Sequence, residues 1–170
     1  MPYKIISNIS LAASETSSLC STPCADRQIC FSDTCVYTGN LAITIIWSRP
    51  GNCDLDVQTP NRWEVFPMYP TEPTEYTDYG QMDVTSELTG PENAFWDVDH
   101  QTPQGLYHIC LEVFFFDGVV DENNPLIANV FVRKPSRNTE TFTRTFMNRT
   151  DGIYICNINS VGYIASIAYP

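Results

Sequence analysis

Apolar side chains recur at every second position along most of this chain. Leu41, Ile43, Ile45 and Trp47 alternate with Ala42, Thr44 and Ile46. Leu55 and Val57 alternate with Asp54 and Asp56. Tyr107, Ile109, Leu111, Val113 and Phe115 alternate with Leu106, His108, Cys110, Glu112 and Phe114. Successive side chains of a strand point to opposite faces, so this pattern predicts half-buried strands. Further strands are expected at 62–66, 81–85, 126–133, 140–146, 153–158 and 161–169. Turn chemistry separates them at Arg49-Pro50-Gly51-Asn52, Thr59-Pro60-Asn61, Pro103-Gln104-Gly105, Asn124-Pro125 and Asp151-Gly152. No 3.6-residue apolar period persists over three turns. The expected fold is therefore all-β: an antiparallel two-sheet β-sandwich, immunoglobulin-like or prealbumin-like.

Three regions differ in character. Residues 1–19 begin with Tyr3, Ile5, Ile9 and Leu11 on one parity and run into a small polar linker. They read as an isolated strand, donated to a neighbouring copy or folded back onto its own domain. Residues 20–38 form a cysteine-rich loop too poor in apolar residues to hold a core without cross-links. Residues 39–170 carry the sandwich.

Composition narrows the partners. Twenty acidic residues against nine basic ones give a formal charge of −11, which repels polyphosphate, so no nucleic acid partner is expected. No apolar run reaches the ~20 residues of a membrane span. The opening residues resemble a signal peptide poorly, since Ser7, Asn8 and Ser10 interrupt the apolar run.

Seven cysteines, Cys20, Cys24, Cys30, Cys35, Cys53, Cys110 and Cys156, are dense for 170 residues. Their spacings lack paired C-x2-C knuckles, so disulfides in an oxidising compartment are expected rather than zinc. Cys110 is expected to bridge to Cys53 or Cys156. An odd count leaves one thiol free or bridged between chains. Sequons at Asn8 and Asn148 fit an extracellular or cell-surface location.

The strand Leu41 to Trp47 is followed by Asp54-Leu55-Asp56-Val57, Asp83-Val84-Thr85, Gly90-Pro91-Glu92-Asn93 and Pro103-x-Gly105-x-Tyr107. Over residues 40–146 this order resembles the YfaP-type family of uncharacterised domains in exported and cell-surface proteins. Where that family carries P-x-G, this chain has Pro60-Asn61-Arg62. The resemblance implies a β-sandwich in an exported protein and brings no established activity.

Asp54 and Asp56 share one strand face, and Asp83 and Glu92 are expected to converge on them as oxygen ligands for Ca²⁺. The alternative is solvated surface acids. Catalysis is not expected. There is no G-x-S-x-G, and only His100 and His108 are available as a base. Tyr69, Tyr76 and Tyr79, in an acidic loop, suit sugar stacking or protein docking. The leading expectation is an extracellular structural or adhesive subunit that self-assembles by strand donation. The alternative is a glycan- or protein-binding module, supported by Ca²⁺.

Overall fold

The computed structural model describes residues 20–67, 73–86, 88–116, 118–150 and 155–170. The expected donor residues Tyr3, Ile5, Ile9 and Leu11, the Asn8 sequon and Tyr69 lie outside them. Eleven strands are present among the described residues: β1 (Gln28–Phe31), β2 (Thr34–Tyr37), β3 (Leu41–Trp47), β4 (Gly51–Gln58), β5 (Glu64–Val65), β6 (Gly80–Val84), β7 (Glu92–Trp96), β8 (Gly105–Phe116), β9 (Leu126–Arg133), β10 (Glu140–Phe146) and β11 (Tyr163–Tyr169). One 3₁₀ turn covers Glu75–Thr77.

All pairings are antiparallel. One sheet has the order β10-β9-β3-β7-β6, a second has β11-β8-β4-β5, and β1 and β2 form a separate hairpin. The two larger sheets share one buried core. Leu41, Ile43, Ile45 and Trp47 of β3, with Val130 and Val132 of β9, meet Leu55 and Val57 of β4 and Tyr107, Ile109, Leu111 and Val113 of β8. Period-two burial therefore organises the interior.

Phe115 departs from the alternation. A register shift between Asn52 and Cys53 inserts an extra residue opposite β4. The bulge switches parity, so Phe116 turns inward at 8% exposure while Phe115 stands out at 69%. The expected strand at 153–158 is corrected over its described part, because residues 155–158 are not extended ladder. The bond from Cys156 to Cys110 holds this segment over a sheet face rather than in a sheet.

The cysteine-rich segment is a docked β-hairpin rather than a loop. Cys20–Cys30 and Cys24–Cys35 cross-link it. It covers the outer face of the five-stranded sheet, with Tyr37 stacked on Phe95 at 5.0 Å and Phe31 edge-on to Phe131 at 4.8 Å. A polar chain fastens it. Tyr37 N donates to Asp83 Oδ2 (2.6 Å), and Asn93 Nδ2 donates to Asp83 Oδ1 (2.7 Å) and to the Tyr37 carbonyl (3.1 Å). Thr44 Oγ1 donates to Asn93 Oδ1 (2.5 Å) and accepts from Arg133. This cover explains why β7 is buried at all five positions.

Candidate functional site

The turn between β4 and β5 and the segment 73–79 bring several aromatic rings together. Arg62 N donates to the Thr59 carbonyl (2.9 Å) and Thr59 N to the Trp63 carbonyl (2.8 Å), closing the turn. Arg62 has φ +68°, the left-handed conformation that a glycine adopts most readily. The turn is tied to the segment 73–79 through Asp78, which is 7% exposed. Thr59 Oγ1 donates to Asp78 Oδ2 (2.5 Å), Asn61 Nδ2 to Asp78 Oδ1 (2.9 Å), and Trp96 Nε1 to the Asp78 carbonyl (3.1 Å).

Around this hub the rings stand in solvent. Trp63 is 41% exposed, Tyr76 59% and Tyr79 39%. Trp63 and Tyr76 meet edge to face at 5.3 Å, and Tyr79 stacks on His100 at 5.0 Å with planes 12° apart. Of the expected docking residues, Tyr76 and Tyr79 are on this surface. Trp63 and His100 were not assigned to it from the sequence. The available signal was an aromatic residue directly after the polar turn Thr59-Pro60-Asn61, at the start of the expected strand 62–66.

The four expected calcium ligands do not form one site. Asp83 is under the hairpin on the outer face of the five-stranded sheet, as described above. Asp54 and Asp56 are on the outer face of the four-stranded sheet, opposite Glu112 and Cys110. Glu92 lies between the sheets at 1% exposure, accepting from Leu55 N (2.6 Å) and Ser86 N (3.4 Å). Among the described residues, no three carboxylates of this set gather within 4.8 Å of one another. The β-sheets themselves hold the acids apart, so convergence on Ca²⁺ through these four residues is corrected.

Burial dominates the electrostatics of these acids. It pushes Glu92 up to about 8, with the negative Asp54 adding to the effect. It raises Asp54 to about 6, assisted by Glu112. Asp83 is also raised by burial, although Tyr37 N–H and Asn93 oppose the shift. Asp56 is raised, first by burial and then by neighbouring Glu64, and Glu64 is raised by burial against the opposing effect of Asp56 and Gln58. Few cations offset them, because the basic residues lie elsewhere: Arg27 pairs with Asp97 and Asp99 (2.9 and 2.8 Å), and Lys134 with Glu140 (2.7 Å).

Cys110 bonds to Cys156, and Cys53 is a free thiol at 0% exposure. The expectation that Cys53 joins a disulfide, within the chain or between subunits, is corrected. Its side chain points into the shared core, where no second cysteine is presented and no partner subunit can reach it. Burial raises its pKa, so it is held as an inert thiol. His108 Nδ1 lies 2.6 Å from Ser166 Oγ, which also meets Tyr163 Oη at 2.8 Å. This chain of polar groups lies on a sheet face rather than in a cleft. A shallow groove of about 360 Å³ lies elsewhere, lined by Tyr37, Gln81, Met82, Asp83, Phe95 and Asp97.

In the Asn148 sequon, Asn148 is exposed while Thr150 is 5% exposed. Thr150 Oγ1 accepts from Val113 N and donates to the Leu111 carbonyl, both at 2.8 Å. Its hydroxyl completes the edge of β8. Among the described residues, no helix is long and apolar enough to cross a membrane. No protein-family model, curated protein or solved structure matches the chain.

Proposed function

We propose that this chain is an extracellular binding module that holds a glycan on the platform of Trp63, Tyr76, Tyr79 and His100. The single observation behind this reading is the cluster of exposed rings fixed around buried Asp78. An exposed tryptophan costs nothing in core packing and offers a flat apolar face to a pyranose ring. Rings carried on a backbone that turn hydrogen bonds hold in place lose less entropy on binding than rings on a mobile loop. The charge of −11 disfavours anionic sugars, so neutral glycans are the class expected. A binding role suits a platform on an open surface better than catalysis does.

Three disulfides support an oxidising compartment. The motif order over residues 40–146 supports kinship with YfaP-type exported domains. Two antiparallel sheets around one core support a β-sandwich of the immunoglobulin-like or prealbumin-like kind. A glycan array with wild type and Trp63→Ala tests the function. Binding to neutral glycans that Trp63→Ala abolishes is expected. Absence of any glycan hit, with or without Ca²⁺, rejects the reading, and capture of a surface protein in its place would reassign the platform.

One observation favours a second reading, a structural or adhesive subunit that self-assembles. β10 is the edge of its sheet, seven residues long, with a regular ladder to β9 and exposed Thr141, Thr143 and Thr145. The opposite edge, β6, is broken by a register shift beside the hairpin. An open, unbroken edge is a template for an added strand. Residues 3–11 of a neighbouring copy have a matching length and alternation, and such head-to-tail addition builds filaments. Deleting residues 1–19 should then give monomers, and persistent assembly would eliminate the mechanism.

A further inference from the structure

The strand that directly follows the platform's Trp63 is β5, only two residues long, and it pairs with β4 through Val57 with Val65 and Gln58 with Glu64. So short a strand is held mainly by its side chains. On the outer face of the four-stranded sheet, Gln58 Nε2 donates to Glu64 Oε1 (3.0 Å). The other Glu64 oxygen, Oε2, and Asp56 Oδ1 are both sealed from solvent with no donor on either. Two ionised carboxylates in that position would repel strongly and leave both oxygens unsatisfied. One proton between them removes the repulsion and satisfies both atoms.

The cover over this pair is the segment tethered by Cys110–Cys156. Cys110 lies directly opposite Asp56, Cys156 is fully buried, and the Cys156 backbone N–H bears on Glu64. The titratable groups that face the pair are Asp54 on β4 and His108 and Glu112 on β8, with Tyr163 of β11 beyond His108. The two acids among them add to the repulsion, whereas a protonated His108 favours the charged form of Glu64.

We propose that the aromatic platform is pH-controlled: a single proton shared by Asp56 and Glu64 latches β5, and with it Trp63, to the sheet, and losing that proton to solvent releases this strand. The regulation rests on the platform reading given above; the latch itself does not. In the closed form the pair keeps a proton that two separated, solvated carboxyls would give up above about pH 4. Opening therefore becomes about tenfold easier with each pH unit above that value, until the closed pair also ionises.

Hydrogen exchange resolved by mass spectrometry, corrected for intrinsic rate, tests the latch over pH 5–8 on the full chain. Wild type, Asp56→Asn and Glu64→Gln are compared, with β10 as the internal reference. The expected result is that β5 loses protection about tenfold per pH unit relative to β10. Each amide variant, which donates an N–H in place of the shared proton, should flatten that slope. A wild-type β5 with no slope beyond that of β10 overturns the latch, as does a slope that survives in both variants. Binding to soluble cello-oligosaccharides at pH 5 and pH 8 is measured in parallel, and weaker binding at pH 8 in wild type alone supports the coupling. Equal binding at both values overturns it. Binding at neither overturns the platform reading, while the exchange slope still decides the latch.

Discussion

Replacing Glu92 by glutamine should make the protein more stable at neutral and alkaline pH. Glu92 is 1% exposed between the sheets and accepts from Leu55 N at 2.6 Å. Burial, with Asp54 nearby, lifts it from an ordinary 4.5 to about 8. The folded chain thus holds a proton that the unfolded chain releases. This contribution is fully present below about pH 4.5 and is lost as pH rises toward 8. The slope is about 1.4 kcal/mol per pH unit, so wild type loses about 2.5 kcal/mol from this group between pH 5 and pH 7. Glutamine keeps an acceptor oxygen for Leu55 N–H and has no charge to desolvate. The two proteins should therefore agree to within about 1 kcal/mol at pH 5, and the variant should gain about 3.5 kcal/mol on wild type between pH 5 and pH 8. Urea unfolding followed by circular dichroism, with disulfides intact, measures both curves. Taking their difference removes the self-repulsion common to both chains. A difference that stays constant from pH 5 to pH 8, or favours wild type as pH rises, refutes the argument.

Removing the Cys110–Cys156 bond, which closes a 46-residue separation, should cost about 4 kcal/mol in chemical denaturation. Asp83→Ala strips the acceptor from Tyr37 N and Asn93 Nδ2. A loss of about 1–3 kcal/mol is expected, with faster proteolytic nicking in residues 20–38, and unchanged nicking would detach Asp83 from hairpin docking. Excess EDTA should leave the melting temperature unmoved, because Asp83, Glu92 and the pair Asp54 and Asp56 are held in three separate places; a drop would reveal an ion held by other ligands. Trp63→Ala should shift stability by no more than about 1 kcal/mol, since the ring is 41% exposed, while abolishing glycan binding.

Alternation was readable wherever one strand face meets the core and the other does not. β9 and β10 have the bounds expected of them, and Leu41, Ile43, Ile45 and Trp47 all face inward. β7 escaped notice because the hairpin covers its outer face, and its two polar residues, Glu92 and Asn93, are adjacent rather than alternating with apolar ones. The hairpin's four cysteines were legible as a cross-linked unit, but their docking depends on Asp83, Asn93 and Thr44 from three different strands. Tyr76 and Tyr79 were legible as exposed rings in an acidic loop; Trp63 and His100 join them through the hydrogen bonds of Asp78 and a ring stack.

The order of residues thus determined the strands β3, β4, β8, β9 and β10 and most of the side chains they send into the core, because a period of two is a local property of the backbone. Only the tertiary structure decided which acids meet, which cysteine remains a thiol and which rings share a surface. Those outcomes depend on sheet order and register, where one bulge or one disulfide reassigns a side chain's neighbours without changing its neighbours in sequence.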